Sequence, residues 1–240
     1  MSKTILHKAD TRGKANHGWL NSAHSFSFAN YYNPERMHFG ALRVLNDDIV
    51  AAGMGFGRHP HDNMEIISIP LAGELKHKDS MGTGAVIKSG DIQMMSAGTG
   101  ISHSEENASK TEEVRFLQIW VIPNKRNVTP RYDQITLKSE DRHNKLQQII
   151  SPFAGDASNE GMRIYQDAWF HLGKFDRNFK TEYTLKGKNS GVYAFVISGD
   201  FTIDGQVLNK RDALGIWDTD KINIESASDD AEILLMEVPL

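Results

Sequence analysis

Short apolar stretches, rich in β-branched and aromatic residues and broken by Gly, Asn or Asp, run through the whole 240-residue chain, and helical periodicity is scarce. Strands are expected at residues 41–45, 49–52, 65–71, 85–88, 92–95 and 116–122. After a polar stretch they resume at 147–150, 163–165, 168–172, 192–197, 201–203, 213–217, 222–224 and 233–238. Turns are expected at Asn46-Asp47-Asp48, Leu71-Ala72-Gly73, Lys88-Ser89-Gly90-Asp91, Ser198-Gly199-Asp200 and Asp204-Gly205. So many short strands at regular spacing predict an all-β protein of barrels or sandwiches.

The segment 123–144 holds Pro123, Pro130 and the mixed-charge run Lys138-Ser139-Glu140-Asp141-Arg142, which places a domain boundary near residue 137. The expected domains are residues 1–136 and 137–240. A weak internal repeat supports the division. Residues 68–75 overlay residues 194–201, each reading as a strand, a glycine turn with a following acid, and a return strand. Two copies of one barrel plan account for it, and so would a hairpin common to β proteins.

Composition removes several classes of function. A net charge of −4 with scattered Lys and Arg gives no electrostatic reason to bind nucleic acid or anionic lipid. The absence of cysteine excludes disulfides, a thiolate nucleophile and Cys-ligated metal. The opening residues lack the apolar core of a signal peptide, and no run reaches membrane-spanning length, so a cytoplasmic protein is expected.

The chemistry concentrates in two stretches. In Arg58-His59-Pro60-His61 the two histidines stand two apart, so on a strand they point to one face with Cα atoms roughly 6.6 Å apart. Pro60 places that segment at an edge or strand end, because proline cannot donate to a central ladder. One such pair among ten histidines carries little weight. The second stretch repeats the spacing: Gly98-Thr99-Gly100-Ile101-Ser102-His103-Ser104-Glu105 brings a His and a Glu two apart after a glycine-rich turn. On neighbouring strands the pairs would offer three imidazole nitrogens and one carboxylate oxygen. That set suits one divalent transition metal, with Fe(II) the first expectation and Ni, Cu, Co, Mn or Zn also compatible. On an octahedral ion it leaves two adjacent positions open, the mark of a catalytic rather than a structural metal.

These residues also carry a resemblance. Residues 53–73 and 90–107 resemble the two cupin motifs. His17-Gly18-Trp19-Leu20, Phe26-Ser27-Phe28-Ala29-Asn30-Tyr31-Tyr32, His59-Pro60-His61 and the 98–105 segment together resemble the pirin family, closest to its shorter bacterial members, the quercetin 2,3-dioxygenases. The resemblance spans nearly the whole chain. It implies two tandem cupin barrels (jelly-roll, double-stranded β-helix), the N-terminal one holding the metal through His59, His61, His103 and Glu105. Leu185 and Gly187 stand where His59 and His61 would repeat, and no histidine follows His171, so the C-terminal barrel is expected to be metal-free.

Glu65 leaves an alternative open. Many cupins draw their carboxylate ligand from this position, and its even spacing from His61 keeps it on one face if no bulge intervenes. Glu65 is otherwise expected to orient an imidazole from behind the ligands. His7, His17, His24, His38, His77, His143 and His171 show no ligand spacing, and Phe56, Phe116 and Trp120 read as core.

The resemblance implies a metal-dependent dioxygenase that opens the heterocyclic ring of flavonols such as quercetin with O2 and releases carbon monoxide. Glu105 would be the base that takes the proton of the substrate's 3-hydroxyl. The rival reading is a regulatory or protein-interaction protein in which the metal senses redox state or ligand. A third is a cupin isomerase or hydrolase, marked by turnover without oxygen.

Overall fold

The computed structural model describes residues 2–154 and 161–240. The chain forms two compact units, one of residues 13–38 and 42–137, the other of residues 1–12, 39–41 and 138–240. Each is built from a seven-stranded and a four-stranded sheet. Among the described residues helix is confined to Ser139–Arg142 and a single 3-10 turn at Ala9–Thr11, and no helix is long and apolar enough to cross a membrane.

In the first unit the large sheet runs Arg131–Thr136, Asp91–Ser96, Glu65–Ala72, Val114–Val121, Leu42–Val50, Leu20–His24, Gly13–Asn16. Its small sheet runs Gly55–His61, Ile101–Asn107, Glu74–Asp79, Gly84–Lys88. In the second unit the large sheet runs Lys3–His7, Ala213–Trp217, Ser190–Ser198, Ala231–Pro239, Trp169–Phe175, Leu146–Pro152, Met162–Ile164. The small one runs Lys180–Thr184, Lys221–Ser226, Phe201–Ile203, Gln206–Leu208. The inner strands of the two orders correspond, and the outermost pair differs in being antiparallel at Gly13–Asn16 and parallel at Met162–Ile164, so the weak sequence repeat reflects a repeated all-β barrel. Gly73 (φ 74°) and Gly199 (φ 69°) end the matching strands in the left-handed region that glycine enters freely. Lys3–His7 takes in the second unit the place that Arg131–Thr136 takes in the first.

One expected turn is absent. Asn46-Asp47-Asp48 lies within the unbroken strand Leu42–Val50, with Asn46 and Asp48 both 3% exposed. The polar triplet resembles a turn because turns are where polar residues usually gather; here Asn46 and Asp48 face a polar barrel interior. Around it Ser68, Gln93, Glu105 and Gln118 are also buried. The second unit instead encloses an apolar cluster that includes Phe175, Val192, Phe201, Ile224 and Leu235. Burying polar groups costs free energy unless they are paired, so a polar interior in one copy of a repeated barrel marks that copy as the functional one.

Candidate metal centre

The small sheet of the first unit positions every expected ligand. Gly55–His61 is its edge strand, where Pro60 leaves no ladder bond unmade, and it pairs with Ile101–Asn107 so that His59 lies opposite His103. The register shifts between His103 and Glu105, leaving Gly57 and Arg58 opposite Ser104 alone. This bulge bends the edge strand and brings the Gly57 carbonyl to accept the Nδ1 hydrogen of His59 at 2.8 Å. His59 is thereby set to offer its Nε2 lone pair.

His59, His61 and His103 converge, with potential ligand atoms all within 4.8 Å of one another and ring centroids 4.5–4.9 Å apart. His103 is fully buried, and its Nε2 has no hydrogen-bond partner. Burial and then the neighbouring imidazoles hold two of these rings neutral: His103 is pushed down to about 2, and His61, by burial and then His59, to about 4. Three converging imidazoles, one with an orphaned nitrogen, are a donor set suited to a divalent transition metal.

Glu105 does not join that trio. It groups instead with His103 and a residue not expected at the site, His77. Glu105 is 1% exposed, its Oε1 lies 3.0 Å from Ser68 Oγ, and its Oε2 accepts from Gln118 Nε2 at 2.8 Å. Burial raises its carboxyl to about 7 against the lowering effect of Ser68, Gln118 and Gln93. The Ser68 hydroxyl also lies 2.7 Å from Gln118 Oε1, and its single hydrogen serves one acceptor at a time. When Glu105 takes up a proton on Oε1 it can donate to Ser68, which donates to Gln118, whose amide donates back to Oε2. Protonation completes this ring rather than breaking it.

Glu65 stands in neither grouping. The left-handed Asn63 (φ 44°) separates it from His61, and it opens a strand of the other sheet, where it accepts from Ser96 Oγ at 2.7 Å. The alternation that would have kept it beside His61 is broken by that turn. Trp120, read as core, lies edge-on to His61 at 5.0 Å. His77 was missed because its placement depends on which strand pairs with Ile101–Asn107. The available signal was the His77-x-Asp79 spacing, a third pair two apart.

A cavity of about 610 Å³ is walled by Trp19, Phe28, Tyr31 and Phe56, with Asn46 and Asp48 also lining it. Phe56 lies opposite Glu105 in the strand register, and Phe28 packs edge-on to Trp120 at 5.4 Å, so two of the cavity's walls adjoin site residues, while His61 itself lines a separate pocket of about 560 Å³ with Pro60, Thr99 and Ile101. Asn46 Oδ1 and Asp48 Oδ1 are buried without hydrogen-bond partners. Burial raises the Asp48 carboxyl to about 7, opposed by the Ser22 hydroxyl.

Comparison with known proteins places this geometry. Residues 6–121 match the family model described as Pirin, and residues 148–238 match that described as Quercetinase C-terminal cupin domain. The chain is 43% identical over 234 residues to the quercetin 2,3-dioxygenase of Escherichia coli K12, covering 98% of each chain. It is 39% identical over 228 residues to a pirin-like protein of Caulobacter vibrioides, covering 95% of this chain and 96% of that one. The solved structure of the bacterial pirin YhhW from Escherichia coli, in complex with nickel(II), superposes with a TM-score of 0.92 at 41% identity, covering 99% of both chains.

Proposed function

The chain belongs to the pirin family, and from that premise we propose that it is a metal-dependent quercetin 2,3-dioxygenase, opening the heterocyclic ring of flavonols with O2 and releasing carbon monoxide. The observation that carries this reading is the convergence of three imidazoles, together with an aromatic-walled cavity whose Phe28 and Phe56 adjoin site residues. His59, His61 and His103 would hold one divalent transition metal ion, and Glu105, which groups with His103 but not with His59 and His61, would turn toward it as the carboxylate ligand. The donor set admits both Fe(II) and nickel(II), the ion held by the E. coli relative. The bound ion supplies Lewis acidity toward the flavonol 3-hydroxyl, lowering its pKa.

The chain's own residues supply the rest. Trp19, Phe28 and Phe56 hold the planar substrate and keep water from it. Asn46 Oδ1 and Asp48 Oδ1 accept phenolic hydroxyls and so gain the partners they lack. Glu105 takes the 3-hydroxyl proton and passes its hydrogen bond to Ser68 around the ring described above.

The test is oxygen uptake with quercetin by protein loaded in turn with Fe(II) and nickel(II), with carbon monoxide measured alongside. Uptake with equimolar carbon monoxide is expected with at least one ion. Full metal loading without turnover of any flavonol would reject the reading.

A further inference from the structure

The histidine that the mechanism leaves unused, His77, sits directly behind His103 on the neighbouring strand. Glu74–Asp79 pairs with Ile101–Asn107 so that His103 lies opposite Asp79 and Glu105 opposite His77, which puts all four side chains on one face of the sheet. His77 Nε2 lies 3.2 Å from Asp79 Oδ2, and both side chains are fully buried. Asp79 Oδ1 is held in turn by the backbone N–H groups of Met81 at 2.9 Å and Thr83 at 3.0 Å. The Tyr132 ring packs against His77 with centroids 4.9 Å apart and planes 33° apart, fixing the imidazole plane. On its other side His77 Nδ1 faces His103 Nδ1 at 3.5 Å.

Hydrogen counting leaves one consistent arrangement. An ionised carboxylate only accepts, so His77 must carry its hydrogen on Nε2. A hydrogen on His103 Nε2 would be a buried donor with no partner. The His77 Nδ1 lone pair, 3.5 Å away, can accept instead, so His103 carries its hydrogen on Nδ1. Its Nε2, the atom with no hydrogen-bond partner, is left with the free lone pair.

We propose that Asp79 and His77 are positioning residues which fix the tautomer of His103, so that His103 Nε2 is the atom offered to the metal. This rests on the site reading above and deepens it. The edge strand solves the same problem at His59 with one backbone carbonyl. The buried strand uses a carboxylate and a second imidazole instead.

The first test needs neither metal nor flavonol. In metal-free ¹⁵N-labelled protein, long-range ¹H–¹⁵N correlations should show His77 as the Nε2–H tautomer and His103 as the Nδ1–H tautomer. The opposite tautomer at either residue overturns the proposal. On loading with Zn(II), the His103 Nε2 resonance should shift as a metal-bound nitrogen. A metal-bound His103 Nδ1 would place the ion among His77, His103 and Glu105 and overturn the proposal as well. Because the tautomers are read without turnover, an inactive protein with both tautomers in place refutes the dioxygenase reading alone.

The second test separates positioning from packing by chelator competition for Zn(II). His77→Leu, which cannot accept from His103, should weaken Zn(II) binding by ~10–100-fold. His77→Gln, whose amide oxygen can accept, should restore most of the loss. Unchanged affinity in the Leu variant, or equal losses in both variants, contradicts the relay.

Discussion

Gln118 Nε2 donates to Glu105 Oε2 over 2.8 Å, the amide hydrogen bond to a carboxylate that is almost wholly buried. Gln118→Leu removes that donor, and leaving a buried charged group short of a partner costs about 1–3 kcal/mol. Burial holds the Glu105 carboxyl near 7, so the loss should be larger at pH 8.5, where it is ionised, than at pH 5.5, where it is neutral. Urea unfolding of metal-free wild type and variant at the two pH values checks this. Equal losses at both would show that the contact does not serve the charged form.

Asp48 gives a second pH dependence. Its carboxyl is raised from the ordinary 3.8 to about 7, chiefly by burial. A raised carboxyl contributes stability that is present below pH 3.8 and is lost as pH rises through 7. Asp48→Asn has no such loss, so its stability relative to wild type should grow by roughly 4 kcal/mol between pH 4 and pH 8. Unfolding titrations at both ends measure it. A constant difference would mean that Asp48 titrates near its ordinary value.

The two buried glutamates should part company under the same substitution. Glu105→Gln keeps an oxygen donor and loses the base, so turnover at saturating metal should fall ~10² to 10⁴-fold. Glu65→Gln changes a side chain that accepts from Ser96 in the other sheet, and its loss should stay within ~10–100-fold. Steady-state oxygen uptake of the two metal-saturated variants makes the comparison. Greater damage from Glu65→Gln would assign the catalytic carboxylate to the first motif.

Gly98 ties the turn before the His103 strand to its surroundings. It sits at φ 49°, its carbonyl accepts from Asn63 N at 2.9 Å, and an added Cβ would overlap the Val128 carbonyl. Gly98→Ala should therefore cost about 2–4 kcal/mol and lower metal occupancy with it. Thermal unfolding and metal content of the purified variant measure both. A variant as stable as wild type would show that the turn relaxes freely.

What the sequence disclosed depended on the range of the signal. The pairs His59/His61 and His103/Glu105 were legible because strand alternation is local, needing only a spacing of two. Pro60 marked the edge strand for the same reason. His77 was dismissed because its partnership with His103 exists only in the register of two strands, the residues lying 26 positions apart in the chain, and the local pair with Asp79 gave no hint of it alone. Asn46 and Asp48 were misread as a turn because polar residues on a strand are ambiguous until the strand's inner face is known to line a polar cavity. The strand Lys3–His7, too polar to stand out, was not anticipated, nor was its pairing with Ala213–Trp217, which puts the first residues with the second unit.

Metal content per chain decides whether the three converging imidazoles hold an ion, using protein purified without a metal-binding tag and analysed for every first-row divalent ion. The account predicts one ion per chain in wild type and less than about a tenth of that in His61→Ala and in His103→Ala, with the far-ultraviolet β signature unchanged in both, because neither barrel core depends on one ion. Wild-type protein that binds no metal on reconstitution, or full occupancy in either variant, would contradict it.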